Sequence, residues 1–163
     1  MSRRSEYIRK EYTDTQAAYM AGIMDGEGTF YIGNYSGNRK NGDKHFQTVI
    51  AVCTTDKSLM EWLIDIFGGS FRAYTPNQMS KNGRKQVYRW AATSNRLLHI
   101  CEIILPYLVI KKRQAEIMIK IRSTYKDEQN IKGRQNVQNL PAGTLELRQQ
   151  LMNELKLLHT RSH

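Results

Sequence analysis

Glu27 stands just beyond a run, Ala18 to Asp25, that is helical in its spacing and small in its side chains. Ala18, Ala21, Gly22 and Asp25 fall at i, i+3, i+4 and i+7 and so share one helical face. A glycine inside a helix costs about 1 kcal/mol relative to alanine, and close approach of a second helix would offset that cost. The helix is predicted to begin at Thr13 or Asp14, whose side-chain oxygens can cap the first free N–H groups. It is predicted to stop near Gly26 and Gly28, where glycine readily takes positive φ. Glu27 then projects past an end whose unpaired carbonyls carry partial negative charge, an arrangement that attracts a cation. A hard ion such as Mg²⁺ takes oxygen ligands and keeps several waters, so Glu27, the Gly26 carbonyl and a phosphate oxygen would suffice to hold it. An acid beside glycine is by itself an ordinary turn. What singles this one out is its place at the tip of a bare helix.

The elements that must position Glu27 follow from periodicity. Thr29 to Tyr35 alternates, with Phe30 and Ile32 on a core face and Thr29, Tyr31, Gly33 and Tyr35 opposite. After a polar loop from Ser36 to Lys44, His45 to Thr54 returns with Phe46, Thr48, Ile50 and Val52 inward and His45, Gln47, Val49 and Ala51 outward. Leu59, Leu63 and Ile66 with Trp62 mark an amphipathic helix that Gly68-Gly69 ends. Phe71 to Tyr74 and Gln86 to Ala92 form a second hairpin, and a further helix follows. Two hairpins joined through a helix predict a four-stranded antiparallel sheet in an α+β fold of order αββαββα. With helices on one side of that sheet, its other face stays uncovered. Residues 126 to 143 read as a linker, and Thr144 is expected to cap a last helix with Leu147, Leu151, Leu155 and Leu158 on its apolar side. The expected organisation is a basic segment over 1–13, a core over 14–125, and a linker and helix over 126–163 packed on that core.

Charge gives an independent bound. A chain of 163 residues is about one domain, and its formal charge of +10 favours a phosphate-rich partner or an acidic surface. Five Lys or Arg and no acid lie between Ser70 and Trp90, and Lys111 to Arg134 holds eight basic residues against three acidic. Cys53 and Cys101 form no CxxC pair and fit small apolar residues in a reducing compartment. The N-terminus has no apolar core of a secretory signal, and Leu97 to Ile110 is too interrupted and too short to cross a bilayer. A soluble intracellular protein without membrane association is therefore expected. His45, His99, His159 and His163 show no metal-ligand spacing.

Met20-Ala21-Gly22-Ile23-Met24-Asp25-Gly26-Glu27-Gly28 resembles the nine-residue motif of the LAGLIDADG homing endonucleases. Gly68-Gly69-Ser70-Phe71, Tyr88-Arg89-Trp90 and Leu105 to Gln114 resemble the later strands and the basic strand-to-helix turn of its single-motif, homodimeric branch. The resemblance covers residues 14 to 123. It implies a sequence-specific double-strand DNA endonuclease that hydrolyses phosphodiesters with Mg²⁺, with Mn²⁺ as a substitute and Ca²⁺ binding without cleavage. It also implies a long pseudo-palindromic target cut with short 3′ overhangs, and no small-molecule substrate. Glu27 would be the metal-binding acid, Lys111 the basic residue near the scissile phosphate, and Thr54 a polar residue touching the attacking water. The uncovered sheet face would be the DNA surface. Its candidates are Thr29, Tyr31, Gly33 and Tyr35 on the first strand, Arg39, Lys40 and Lys44 around the loop, His45 and Gln47 on the second strand, and Arg72, Tyr74, Lys85 and Arg89 on the second hairpin. Only one such helix occurs in the chain, so two cuts require two copies joined through Ala18, Ala21, Gly22 and Asp25. An intron-splicing maturase that binds RNA, and a non-cleaving DNA-binding regulator, are the two other readings that the same fold permits.

Overall fold

The computed structural model describes residues 10–36, 44–74, 86–125 and 140–160. Arg39, Lys40 and Lys85 lie outside them. Helix α1 (Asp14–Gly26) opens with a full capping box: the Thr13 hydroxyl accepts from the Gln16 N–H while the Gln16 side chain accepts from the Thr13 N–H. Strands β1 (Gly28–Ser36) and β2 (Lys44–Thr54) form the first hairpin, and α2 (Lys57–Phe67) connects it to β3 (Ser70–Tyr74) and β4 (Val87–Thr93). The sheet is antiparallel throughout in the order β1-β2-β4-β3, so β2 and β4 are interior and β1 and β3 are edges.

The inward row of the first hairpin is the expected one. Phe30, Ile32, Phe46, Thr48, Ile50 and Val52 are all buried beneath the helices. All but the polar Thr48 meet Met20 and Met24 of α1, Met60, Leu63 and Phe67 of α2, and Trp90 and Ala92 of β4 in one apolar core. Leu63 lies on the buried side of α2 with Met60 and Phe67, whereas Leu59, Trp62 and Ile66 are only partly covered. Gly68 and Gly69, at φ 66° and 102°, end α2 in the left-handed region that glycine tolerates best.

The region after β4 departs from expectation. It holds two helices where one was predicted, α3 (Ser94–Ile104) and α4 (Lys112–Ser123), separated by a 3₁₀ turn over Leu105–Tyr107 that contains Pro106. The segment leading into the basic turn is thus helical and not a strand. Proline fixes φ and removes an N–H donor, so the α-helical ladder of α3 ends there. A last helix, α5 (Thr144–Thr160), buries Leu151, Met152 and Leu155 against α4 and β1 of its own chain, with Leu147 and Leu158 partly covered. Thr144 is its first helical residue rather than its cap, following Gly143 at φ 82°. Arg148 is buried at 3% exposure: its guanidinium donates to the Thr124 hydroxyl and carbonyl and lies 3.8 Å from the centre of the Tyr125 ring.

Candidate active centre at the end of helix α1

Helix α1 stops at Gly26, but not through a left-handed glycine. Glu27 is the C-terminal cap with φ −108° and ψ −6°, its N–H donating to the Ile23 carbonyl at 2.8 Å. Neither Gly26 nor Gly28 is among the glycines of positive φ. Gly28 is required by space: a Cβ there would lie 2.6 Å from the Cα and the side chain of Met24. The chain therefore turns from α1 into β1 hard against its own helix, and the Glu27 side chain is left exposed at the corner.

Lys111 comes to the same corner from a distant part of the sequence. Its ammonium donates to the Met24 carbonyl at 2.9 Å and to the Gly28 carbonyl at 2.7 Å. It thus caps the negative end of the α1 dipole, where a cation is favourable, with Glu27 lying between the two residues it binds. Partial burial holds the Lys111 pKa below the ordinary lysine value, against the opposing pull of Asp25 and Glu27. An ammonium has three N–H donors, and carbonyls take two of them.

The Asp25 carboxylate is engaged within its own chain. Its carboxylate accepts the backbone N–H groups of Val109 at 2.8 Å, of Ile110 at 3.2 Å and of Lys111 at 2.8 Å. This acid from α1 fixes the turn that delivers Lys111, and Val109 and Ile110 are left strongly exposed on its outside. Ala21 is likewise removed from the predicted face, being fully buried in the core of its own chain. The exposed small residues of α1 are Ala18, Gly22 and Gly26, at i, i+4 and i+8, with Tyr19 beside them. A Cβ at Gly22 or Gly26 would meet nothing within 4 Å. The exposed row of small residues is turned by part of a helical step from the expected one, because core packing claims Ala21 and the Lys111 turn claims Asp25.

Thr54 ends β2, two residues past the Val52 that pairs with Gly28. It is half-buried, and its hydroxyl accepts the Asp56 N–H at 3.2 Å where the chain enters α2. Among the described residues no group of three or more His, Cys, Asp or Glu could enclose a metal. Glu27 and the Gly26 carbonyl do fit a hard cation that keeps most of its waters and shares phosphate oxygens, since such an ion needs only one or two carboxylates from protein. They do not make a closed cage.

The uncovered sheet face starts at this corner. Thr29, Gln47, Arg72 and Tyr74 are exposed on it, Tyr31 is 46% exposed, and Arg89 is half-buried. Gly33 pairs with Gln47, Tyr35 with His45 and Ser36 with Lys44, which puts these residues at the far end of the first hairpin. Val49, Ala51 and Ala91 make a small apolar floor between them. Sequence reasoning missed the brace from α5: Glu154 pairs with Arg113, two residues past Lys111, at 2.6 Å. Burial and the Lys111 charge lower the pKa of His159, near the end of the same helix. No local signal in the sequence marks either residue.

The family model described as LAGLIDADG endonuclease matches residues 20–120, which include Gly22, Glu27, Thr54 and Lys111. No curated protein matches. Among solved structures, the fold is similar to the homing endonuclease I-CvuI in complex with its target, at 17% identity over 89% of this chain and 82% of that one, with a TM-score of 0.69. It is also similar to the archaeal intron-encoded homing endonuclease I-Vdi141I complexed with DNA, at 16% identity over 89% and 84%, with a TM-score of 0.68. The LAGLIDADG homing endonuclease I-GzeII in complex with its DNA target is matched over 83% of this chain but only 43% of its own, at 20% identity and a TM-score of 0.61. None of the described helices is long and apolar enough to cross a membrane.

Proposed function

Because the chain belongs to the LAGLIDADG endonuclease family, we propose that it is a sequence-specific, divalent-metal-dependent DNA endonuclease that works as a homodimer. The convergence of Glu27 and Lys111 on one helix end carries this reading. Glu27 is exposed and free to bind a cation, while two hydrogen bonds to carbonyls four residues apart fix Lys111 beside it. A non-cleaving regulator has no need of that pairing.

A divalent cation held by Glu27 and the Gly26 carbonyl would supply charge for the phosphoryl group and lower the pKa of a bound water. The rest falls to the chain itself. Lys111 offers its remaining N–H to the developing negative charge, a contribution that grows in a site from which water is excluded. Partial burial lowers its pKa from the ordinary lysine value, and the carboxylates of Asp25 and Glu27 oppose that effect. Thr54, whose hydroxyl lies at the end of β2, would orient a water rather than attack. With one Glu27 per chain, cutting both strands takes two chains, which would pair along Ala18, Gly22 and Gly26. The half-length match to I-GzeII fits a two-copy assembly.

The test is Glu27→Gln, which keeps the side chain's size and removes its charge. Cleavage of a selected target should fall by at least about two orders of magnitude, in line with loss of a group acting on transition-state charge, while affinity in Ca²⁺ changes little. Undiminished cleavage would refute the assignment. A chain that spliced its host transcript and cut no DNA would establish the maturase reading instead.

A further inference from the structure

Arg72 on β3 and Arg89 on β4 stand directly opposite each other in register, and Cys53 on β2 completes the row on the uncovered face. Like charges facing each other across two strands are unfavourable, and among the described residues no carboxylate is paired with either arginine. The next row toward the loop end of the first hairpin is Thr29, Ala51, Ala91 and Ser70, all small. Two cations therefore rise from a low floor onto which a base edge can settle. Their places in the sheet differ. Arg89 lies on an interior strand and is half-buried, whereas Arg72 lies on an edge strand and is exposed.

We infer that Arg89 reads a guanine in the major groove and that Arg72 binds the phosphate backbone beside it. An interior strand faces the floor of a groove that a two-stranded ribbon enters, where the N7 and O6 of guanine are a matched acceptor pair for a guanidinium. An edge strand faces the groove wall, where phosphate contacts fix position without reading sequence. Cys53 directly follows the Val52 that pairs with Gly28, so the row lies at the Glu27 end of the sheet. The guanine accordingly belongs to the inner part of each half-site, nearest the cut, and occurs twice by symmetry. This rests on the proposed reading of the sheet as the DNA surface.

The experiment profiles cleavage and binding of a randomised target library by the full-length protein and by R89Q, R89K and R72A. The wild-type profile should require guanine at one inner position of each half-site. R89Q should move that preference to adenine, whose N6 and N7 suit a carboxamide, changing discrimination roughly 5- to 150-fold and leaving the other positions alone. R89K, the conservative variant that controls for folding, should keep a weakened guanine preference. R72A should weaken all sequences alike and reduce the salt dependence of binding by about one phosphate contact. A uniform loss in R89Q with an unchanged profile overturns the inference and leaves the endonuclease standing. A wild-type chain that binds no DNA overturns both.

Discussion

Replacing Asp25 by Asn tests whether this acid is structural while its neighbour Glu27 is chemical. The Asp25 carboxylate accepts three backbone N–H groups through two oxygens, with the two best contacts, to Val109 and Lys111, both 2.8 Å and on different oxygens. An asparagine keeps one acceptor oxygen and turns an NH₂ group toward the other donor. Hydrogen bonds to a charged group are worth about 1.5–3 kcal/mol net. Val109 and Ile110 are exposed, so water can serve their amides, while Lys111 is half-buried and its amide is less easily served. A loss of about 2 kcal/mol follows, which for a chain of this size lowers Tm by about 4–8 °C. Circular dichroism melting of D25N beside E27Q is the assay. D25N should melt lower and retain reduced cleavage, because the two carbonyls still hold the Lys111 ammonium. E27Q should melt within ~1 °C of wild type. Equal melting of D25N and wild type would refute the argument that Asp25 fixes the turn.

Gly22→Leu should have effects of opposite sign: it removes a helix-interior glycine at an open position, stabilising the subunit by about 0.5–1 kcal/mol, and it blocks the stripe, so that sedimentation finds a monomer. An undisturbed dimer would move the interface elsewhere. Gly28→Ala should cost about 1–3 kcal/mol by overpacking against the Met24 backbone, read as a lower urea midpoint. His159→Gln should flatten the pH dependence of stability. Burial and Lys111 depress the folded pKa of His159 below 6.5, so the unfolded chain takes up the proton first. Wild-type stability is therefore complete above about pH 6.5 and declines as pH falls from there toward the folded value. Denaturant unfolding at about pH 7.5 and 5.5 should show a smaller difference for the variant than for wild type.

The readable parts of the sequence were those governed by local rules. Alternation in β1 and β2 placed every inward residue from Phe30 to Val52, since a half-buried strand leaves no other option. The capping oxygen of Thr13 and the Gly68-Gly69 stop were legible for the same reason. The face of α1 was not. Ala18, Ala21, Gly22 and Asp25 share an arc of the helix, and so do Ala18, Gly22 and Gly26. Only packing against elements more than 80 residues away decides between the arcs. Glu27 and Lys111 could be matched by resemblance, but neither the carbonyls that Lys111 binds nor the α5 brace has any local signature.

The corrected stripe changes what assembly means for the proposed chemistry. Ala18, Gly22 and Gly26 lead, at one residue per turn, directly to Glu27, so the line along which two helices would meet ends at the proposed metal-binding carboxylate. Pairing the helices and bringing two carboxylates to the twofold axis are then one geometric event. Among the described residues one subunit offers no cluster of three or more His, Cys, Asp or Glu that could enclose a metal, so cation affinity in the single chain should be weak and should rise on pairing. By linkage the converse holds: a divalent cation or DNA that binds only the pair stabilises it by an amount that grows with the logarithm of its concentration over its dissociation constant. The apparent dimerisation constant should therefore tighten with Ca²⁺ and target DNA. Glu27→Gln should abolish the Ca²⁺ part of that response while leaving the DNA part, a separation that a purely structural Glu27 would not produce.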